Sequence, residues 1–171
     1  MTQILLSAEQ TAVPDELKLG FRNAMARLGA AINIVTTDGP GGRTGFAATA
    51  VCSVSDTPPS LVVCINRSSS AYEAVMKNGV LCVNITGGSH QPLCQLFGGR
   101  TPAAERFALG SWTQMETGAP VLQDALAAFD CRISAIHSSG SHDLLICEVL
   151  ALKPSSEGRG LIYFDRSYHI V

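Results

Sequence analysis

The segment from Gly45 to Asn84 limits the fold most strongly, because runs of β-favouring residues alternate there with clusters of turn residues. In order, it predicts a strand, a polar loop, a second strand, a polar turn, a short helix and a third strand. Strands joined by turns, with helices as side elements, favour an antiparallel sheet over a parallel α/β sheet. The segment therefore predicts a mainly β domain.

Small residues in the first of these strands indicate a ligand. Ala47, Ala48, Thr49 and Ala50 follow one another in β-like surroundings, so a planar heterocycle could lie close to the backbone and bond to its N–H and C=O groups. A tightly packed barrel wall is the alternative, since small residues also allow close packing of strands.

A polar cluster further along predicts a place for a phosphate. Ser70-Ala-Tyr-Glu73 has the spacing of a capping box, which would put Ser68 to Ser70 at a helix N-terminus with Arg67 beside it. Free N–H groups and the positive end of the helix dipole attract anions there. Most capping boxes bind nothing, so a purely structural cap is the alternative. Together the two features indicate a mononucleotide-like ligand.

Length and composition limit the classes of protein to which this chain can belong. A chain of 171 residues predicts one domain with a single sizeable core. Charged residues make up 15% against a typical value of about 25%, and the mean hydropathy is +0.22, so we expect apolar surface and a stable oligomer. The net charge of −2 and the scattered basic residues argue against a nucleic-acid partner. Without a signal-like N-terminus or an apolar run of about 18 residues, we expect no membrane span and a cytoplasmic location.

Six cysteines raise the question of disulfides or a metal. They contain no Cys-x-x-Cys pair, and we interpret them as small buried hydrophobic residues in a reducing compartment; they are Cys52, Cys64, Cys82, Cys94, Cys131 and Cys147. The four histidines do not pair with cysteine or each other at helical ligand spacing, so no metal site is favoured.

A glycine-rich turn from Asp38 to Gly45 resembles a dinucleotide-binding fingerprint. Pro40 interrupts it, its third glycine is out of step, and a strand-like segment follows where a helix is required. We therefore predict a hairpin loop, so any nicotinamide dinucleotide binds without a Rossmann fold.

Periodicity assigns the first helices. Residues 1–14 predict a flexible arm, and residues 15–171 the domain. Apolar residues from Leu17 to Leu28 predict a helix with one face on the core, ended by Gly29, and a strand should follow to Thr37. After the central segment, a further short helix should run through Leu93 to Phe97. Residues 100–118 predict a helical turn and a surface excursion that could overhang a ligand or a partner subunit.

The last third predicts three strands. Residues 129–135 alternate apolar and polar, which indicates one buried face. After a turn over residues 138–143, residues 144–152 form a nearly continuous apolar run, so we predict burial on both faces. Residues 161–164 should form the final strand. This order describes an antiparallel barrel with peripheral helices.

Several stretches identify a family resemblance that covers nearly all of the chain after residue 20. They are Gly-Ala-Ala-Ile-Asn-Ile-Val-Thr-Thr, Ala-Thr-Ala-Val-Cys-Ser-Val-Ser-Asp-Thr-Pro-Pro-Ser, Val-Cys-Ile-Asn-Arg, Leu-Cys-Val-Asn, Gly-Ser-His-Asp and Gly-Leu-Ile-Tyr-Phe-Asp-Arg-Ser-Tyr-His. The chain closely resembles the short-chain flavin reductases, which supply reduced flavin to two-component monooxygenases. Within them it is most similar to the reductases of the pyrimidine-degradation oxygenase and of 4-hydroxyphenylacetate 3-monooxygenase.

The resemblance implies a fold, an activity and partners. It implies a split antiparallel β-barrel that binds FMN or FAD as a homodimer, takes hydride from NADH or NADPH, and passes reduced flavin to a separate oxygenase. Such chemistry needs no acid–base dyad or nucleophile, because the cofactors carry the redox step and the protein supplies position and electrostatics. The sequence contains no obvious basic pocket for a 2′-phosphate, which favours NADH.

The resemblance also implies site residues. His142 matches a histidine associated with nicotinamide binding, although Ser141 stands where the family commonly has aspartate. From the sequence alone His142 is better explained as a turn residue, and only the resemblance favours a catalytic role. The expected cofactor contacts are Ala48, Thr49, Ala50, Val51, Ser53, Asn66, Arg67, Ser68, Ser69, Ser70, Phe97, Gly98 and Tyr168, the last as a weaker candidate for a dinucleotide contact.

Two other hypotheses from different functional classes stay open. A flavin-binding carrier or sensor would bind FMN and leave NADH untouched. An interaction barrel without a cofactor would not respond to flavin at all.

Overall fold

The computed structural model describes residues 13–154 and 157–171. In these ranges 47% strand and 21% helix confirm a mainly β, antiparallel fold. The predicted arm lies outside the described residues except for its last two positions. The strands are β1 Ala30–Ala31, β2 Asn33–Thr37, β3 Thr44–Ala48, β4 Val51–Asp56, β5 Pro59–Asn66, β6 Val80–Ile85, β7 Trp112–Gln114, β8 Pro120–Leu122, β9 Ala127–Ser139, β10 His142–Pro154, β11 Leu161–Phe164 and β12 Ser167–Ile170.

Seven strands form one antiparallel sheet in the order β3-β2-β6-β9-β10-β5-β4. The two edge strands, β3 and β4, are separated in the chain only by Thr49 and Ala50. A flat sheet of this size would be about 29 Å wide at ~4.8 Å per strand gap. Three residues of chain reach at most about 10.5 Å. The sheet must therefore curve strongly, so that the end of β3 lies close to the start of β4.

The concave side of this sheet holds the main apolar core. Its centre is fully buried and consists of branched side chains from four strands, including Val35 on β2, Val63 on β5, Leu81 on β6 and Leu145 on β10. These positions alternate with exposed or half-buried ones on β5, as expected for a strand with one buried face. The glycine-rich segment before β3 is the predicted hairpin loop, because β2 and β3 pair directly.

A three-stranded sheet, β1-β11-β12, and a two-stranded sheet, β7-β8, complete the fold. The predicted last strand is followed by another one, β12, which pairs with β11 through a two-residue turn. Asp165 and Arg166 in that turn have φ values of 48° and 61°, the left-handed conformation that tight hairpins require. The sequence prediction missed β12 because Asp-Arg lacks the usual asparagine or glycine of such a turn.

Four α-helices lie around the sheets in the described residues: α1 Asp15–Met25, α2 Tyr72–Asn78, α3 Gln91–Gly98 and α4 Ala103–Arg106. Helix α1 ends at Met25, before the predicted stop at Gly29, and none of its residues is buried. Leu17 and Phe21 are 62% and 63% exposed. The prediction that this helix packs on the core is therefore wrong for a single chain.

Strand β10 differs from prediction in the same way. Its first half is buried on one face, whereas Leu150 and Leu152 near its end are 43% and 56% exposed. Burial on both faces is thus wrong within one chain, and an apolar strip is left uncovered. None of the described helices has both the length and the apolar character to cross a membrane.

The six cysteines are all free thiols. Four of them match the prediction of buried hydrophobic residues, and burial raises their pKa values, that of Cys147 to about 12. Cys52 is exposed and Cys64 is half-buried, which corrects the prediction at those two positions. Within the described ranges no cluster of three potential metal ligands occurs.

Candidate functional site

A pocket of about 450 Å³ opens where β3 ends, beside the loop that follows β5 and beside helices α3 and α4. Its volume is in the range of small-ligand sites. It is lined by Phe46, Ala47, Ala48, Thr49, Ala50, Cys64, Asn66, Ser68, Ser69, Ser70, Phe97, Gly98, Gly99, Arg106 and His142.

Small residues and the rings of Phe46 and Phe97 form the apolar side of this pocket. Phe97, 2% exposed, packs against a cluster in which its ring centre lies 5.2 Å from that of Phe107 and 5.7 Å from that of Trp112. A Cβ atom on Gly45 would lie 2.6 Å from the Val35 carbonyl oxygen and 2.8 Å from the Phe97 ring. Only glycine therefore lets β3 approach this ring so closely.

The loop between β5 and α2 forms the polar side. The Asn66 side-chain oxygen accepts hydrogen bonds from the Ser68 backbone N–H and hydroxyl, each at 2.8 Å. The Ser69 hydroxyl accepts from the Ala71 N–H at 3.3 Å. These bonds satisfy the loop locally, and the helix starts only at Tyr72, without a side-chain cap. The predicted capping box from Ser70 is therefore wrong.

Arg106 is the lining residue that sequence reasoning missed. It lies in α4, is 4% exposed, and donates from Nε to the Thr101 carbonyl at 2.9 Å, from Nη1 to the Gly45 carbonyl at 2.5 Å and from Nη2 to the Ser70 hydroxyl at 3.0 Å. No carboxylate lies within 4 Å of it in residues 13–154 and 157–171. Burial lowers the pKa of this guanidinium. A lone Glu-Arg-Phe in an aperiodic segment gave no signal of this role.

Arg67 occupies a different environment. Its Nε and Nη2 donate to Asp143 Oδ1 at 2.9 and 2.7 Å, and its side chain is 42% exposed. Asp143 is 3% exposed and also accepts from the Tyr72 hydroxyl at 2.6 Å and the Ser138 hydroxyl at 2.9 Å. The hydrogen bonds from Arg67, then from Tyr72, lower the pKa of the Asp143 carboxyl to about 2. The charge of Arg67 is therefore compensated, and its side chain does not line the pocket.

His142 stands at the mouth of the pocket. It is the first residue of β10, pairs with Asn66 across β5, and is exposed. Its Nδ1 lies 2.9 Å from the Ser141 hydroxyl, and the Ser141 carbonyl accepts from the Arg67 N–H at 3.0 Å. The hairpin that carries His142 is thus fixed to the β5–α2 loop by main-chain and side-chain bonds.

The structure brings ten of the expected contact residues together around this pocket: Ala48, Thr49, Ala50, Asn66, Ser68, Ser69, Ser70, Phe97, Gly98 and His142. Four others lie elsewhere. Val51 and Ser53 line a separate apolar groove beside Phe129, because the chain turns at the end of β3. Arg67 is held by Asp143, and Tyr168 packs on Tyr163 with ring centres 5.3 Å apart.

Comparison with known proteins assigns the family. Residues 25–171 match the flavin reductase like domain. The chain belongs to this family. A relative named FMN reductase (NADH) RutF 2, from Rhizobium rhizogenes, is 59% identical over 168 residues, covering 98% of this chain and 97% of the relative. FMN reductase (NADH) RutF from Agrobacterium fabrum is 58% identical over 165 residues, covering 96% and 95%.

Solved structures of this flavin reductase family share the fold. Nitrilotriacetate monooxygenase component B from Mycobacterium thermoresistibile aligns with a TM-score of 0.84 at 27% identity, over 92% of this chain and 88% of that chain. In this chain the residue before His142 is Ser141. The nearby carboxylate stands at Asp143 and binds Arg67 instead of facing His142.

Proposed function

We propose that this protein is an NADH-dependent flavin reductase that reduces FMN and releases it to a separate oxygenase component. The observation that carries the proposal is a single pocket that combines a floor of small residues with a polar, cationic end. The names of the two curated relatives support FMN and NADH as the substrates. The family membership supports flavin reduction itself.

The lining residues fit a phosphorylated flavin. Ala47 to Ala50 leave room for a planar ring against the backbone, and Phe97 and Gly98, which pack against β3, extend this side of the pocket. Ser68, Ser69 and Ser70 place hydroxyl groups at the polar end, where a ribityl chain and phosphate would bind. A ring at one end and an anion at the other describe the two halves of a flavin mononucleotide.

When both ligands are bound, the nicotinamide supplies a hydride and the flavin ring accepts it. The protein has to orient the two rings and stabilise the charge that builds on the flavin edge. Backbone donors at the end of β3 suit this task. Burial raises the pKa of the Cys64 thiol, which disfavours the thiolate form. We propose that His142, exposed at the pocket mouth, contacts the nicotinamide.

A homodimer built around a split barrel is part of the proposal. The uncovered apolar side chains of α1, Leu17 and Phe21, and those of β10, Leu150 and Leu152, would be covered by a second copy. The strong curvature of the seven-stranded sheet supports a barrel. A solved structure with a similar fold is named as component B of a monooxygenase, which supports a separate oxygenase partner. Six free thiols support a cytoplasmic location.

The test is the absorbance of NADH in air with purified protein, with and without catalytic FMN. We expect oxidation that needs both protein and FMN, and the matched control is the same FMN without protein. FAD and NADPH in separate reactions define the preference. If FMN binds and NADH is not consumed, the protein is a flavin carrier or sensor, and the reductase proposal fails.

A further inference from the structure

The pocket contains a buried positive charge that has no negative partner among residues 13–154 and 157–171. The Arg106 guanidinium is 4% exposed, and its three hydrogen-bond partners are two carbonyl groups and a hydroxyl. These groups satisfy N–H donors but carry no net charge. Burying a cation without a counter-charge is costly, so a protein retains one where an anion completes the site.

The geometry leaves the right donors for such an anion. Arginine has five N–H groups, and Arg106 uses one on each of its three nitrogens. One N–H therefore remains on each terminal nitrogen. Donors on the two terminal nitrogens of a planar guanidinium can bind two oxygens of a phosphate, which is a strong arrangement for that anion. Arg106 lines the pocket together with Ser69 and Ser70.

The neighbouring arginine does not compete for this role. Arg67 already forms two hydrogen bonds to Asp143, and it does not line the pocket. Among the described residues, Arg106 is the one lysine or arginine in the lining. The positive charge beside the loop serines therefore comes from Arg106 on α4, and not from Arg67, their neighbour in sequence.

Packing holds Arg106 in place without the ligand. The next residue, Phe107, lies edge-on to Phe97, and the Arg43 guanidinium covers the Phe107 ring at 4.1 Å from its centre. The Gly45 carbonyl and the Ser70 hydroxyl fix the two terminal nitrogens. The fork is thus preorganised, which lowers the entropic cost of binding an anion.

We propose that Arg106 binds the 5′-phosphate of the flavin, with Ser70 orienting its guanidinium, and that this contact makes the protein select phosphorylated flavins over riboflavin. The proposal rests on the proposed function and refines it. It assigns the selectivity to a residue in a different element from the Ser-rich loop, and it excludes Arg67 from the phosphate contact.

The experiment compares FMN and riboflavin binding by fluorescence titration to wild type, Arg106→Gln, Arg106→Lys and Arg67→Gln. Loss of a charge-assisted contact of about 1.5–3 kcal/mol predicts that Arg106→Gln weakens FMN by about 10- to 100-fold and leaves riboflavin within about twofold. Arg106→Lys should restore part of the FMN preference. Arg67→Gln, the matched control, should change both flavins by the same factor. Equal losses for both flavins in Arg106→Gln, or loss of the preference in Arg67→Gln alone, would overturn the assignment.

A second measurement covers the case in which Arg106→Gln does not fold. Inorganic phosphate should compete with FMN for the wild-type protein and leave riboflavin binding unchanged; competition with both or neither contradicts the proposal. Failure here is distinct from failure of the proposed function. NADH oxidation with saturating riboflavin tests the reductase without the phosphate contact, and the two titrations test Arg106 without NADH.

Discussion

Two arginines flank the same serine-rich loop and have opposite environments. Arg67 is part of the loop, is partly exposed, and binds a buried carboxylate on the hairpin that carries His142. Arg106 comes from α4, is almost fully buried, and has only neutral partners. In sequence Arg67 is the obvious phosphate residue, because it adjoins Ser68. In space its charge is already compensated.

The difference shows that the charge of Arg67 has a structural role, whereas the charge of Arg106 is available to a ligand. The Arg67–Asp143 pair, with Tyr72 and Ser138, joins β5, α2 and the β9–β10 hairpin, so it fixes the position of His142 relative to the loop. Arg106 also joins three parts of the chain, but its partners there are two carbonyl groups and a hydroxyl, so they do not neutralise its charge. Adjacency in sequence is a weak guide to ligand contact where a nearby carboxylate can neutralise the cation.

The largest expected effect comes from substituting Gly45, whose carbonyl accepts a hydrogen bond from the buried Arg106. In Gly45→Ala the added Cβ would overlap the Val35 carbonyl and the Phe97 ring, and a strand backbone cannot move aside easily. We expect a loss of about 1–3 kcal/mol in the free energy of unfolding, typical of overpacking, and weaker FMN binding because the Gly45 carbonyl holds Arg106. Urea denaturation and FMN titration measure the two effects.

Gly140→Ala is the matched control at the hairpin end. Gly140 has a φ of 56° with open space around its Cβ position, so alanine costs only backbone strain, about 1 kcal/mol. If Gly45→Ala and Gly140→Ala lose the same free energy of unfolding and the same FMN affinity, the packing around Gly45 is not tighter than the packing around Gly140.

The next effect concerns acid stability at the Arg67 end. Asp143 has a folded pKa of about 2, below the ordinary value near 4, so its contribution to stability is complete above about pH 5 and is lost as the pH falls towards 2. Asp143→Asn should lower Tm by several degrees at pH 7 and flatten the decrease in Tm between pH 5 and pH 3.

The comparison in this test is between the pH profiles of Tm. Arg67→Gln should show a similar loss at pH 7, and the double variant should lose little more, because both residues belong to one network. Parallel pH profiles for wild type and Asp143→Asn would show that the carboxyl is not held in its ionised form by Arg67 and Tyr72.

Local pattern predicted much of this molecule. The alternation over residues 129–135 and the apolar run of β6 predicted strands because a half-buried or buried strand imposes those patterns on any sequence. The glycine-rich turn before Gly45 was correctly predicted as a hairpin loop, since Pro40 and the following β residues exclude a helix. The family motifs predicted the loop and strand that border the pocket.

Other features depend on contacts between distant parts of the chain. Arg106 is 36 residues from Ser70 and 61 from Gly45, and its segment has no period that could indicate burial. The apolar face of α1 predicted burial but not against what, so a helix uncovered in the single chain could not be foreseen. The predicted capping box was wrong because the side chains of Asn66 and Ser69 accept the hydrogen bonds from the backbone N–H groups of the loop.

A smaller effect is expected at the mouth of the pocket. His142→Ala should raise KM for NADH by about 2- to 10-fold, the value of one hydrogen bond of about 0.5–1.5 kcal/mol, and leave FMN affinity nearly unchanged. Steady-state kinetics at saturating FMN measure the first effect and flavin titration the second. This pattern is the inverse of that expected for Arg106→Gln. A large loss of FMN affinity would instead place His142 among the flavin contacts.

The smallest expected effect separates the two arginine networks by removing one hydroxyl from each. Ser70→Ala removes the group that orients Nη2 of Arg106, while Ser138→Ala removes one of the donors to Asp143. Each hydrogen bond is worth about 0.5–1.5 kcal/mol, so Ser70→Ala should weaken FMN by about 2- to 10-fold and spare riboflavin. Ser138→Ala should lower Tm slightly and leave the ratio of FMN to riboflavin affinity unchanged. If Ser138→Ala alters that ratio as much as Ser70→Ala does, the Arg67 network takes part in phosphate recognition, and the division between a structural and an available charge is wrong.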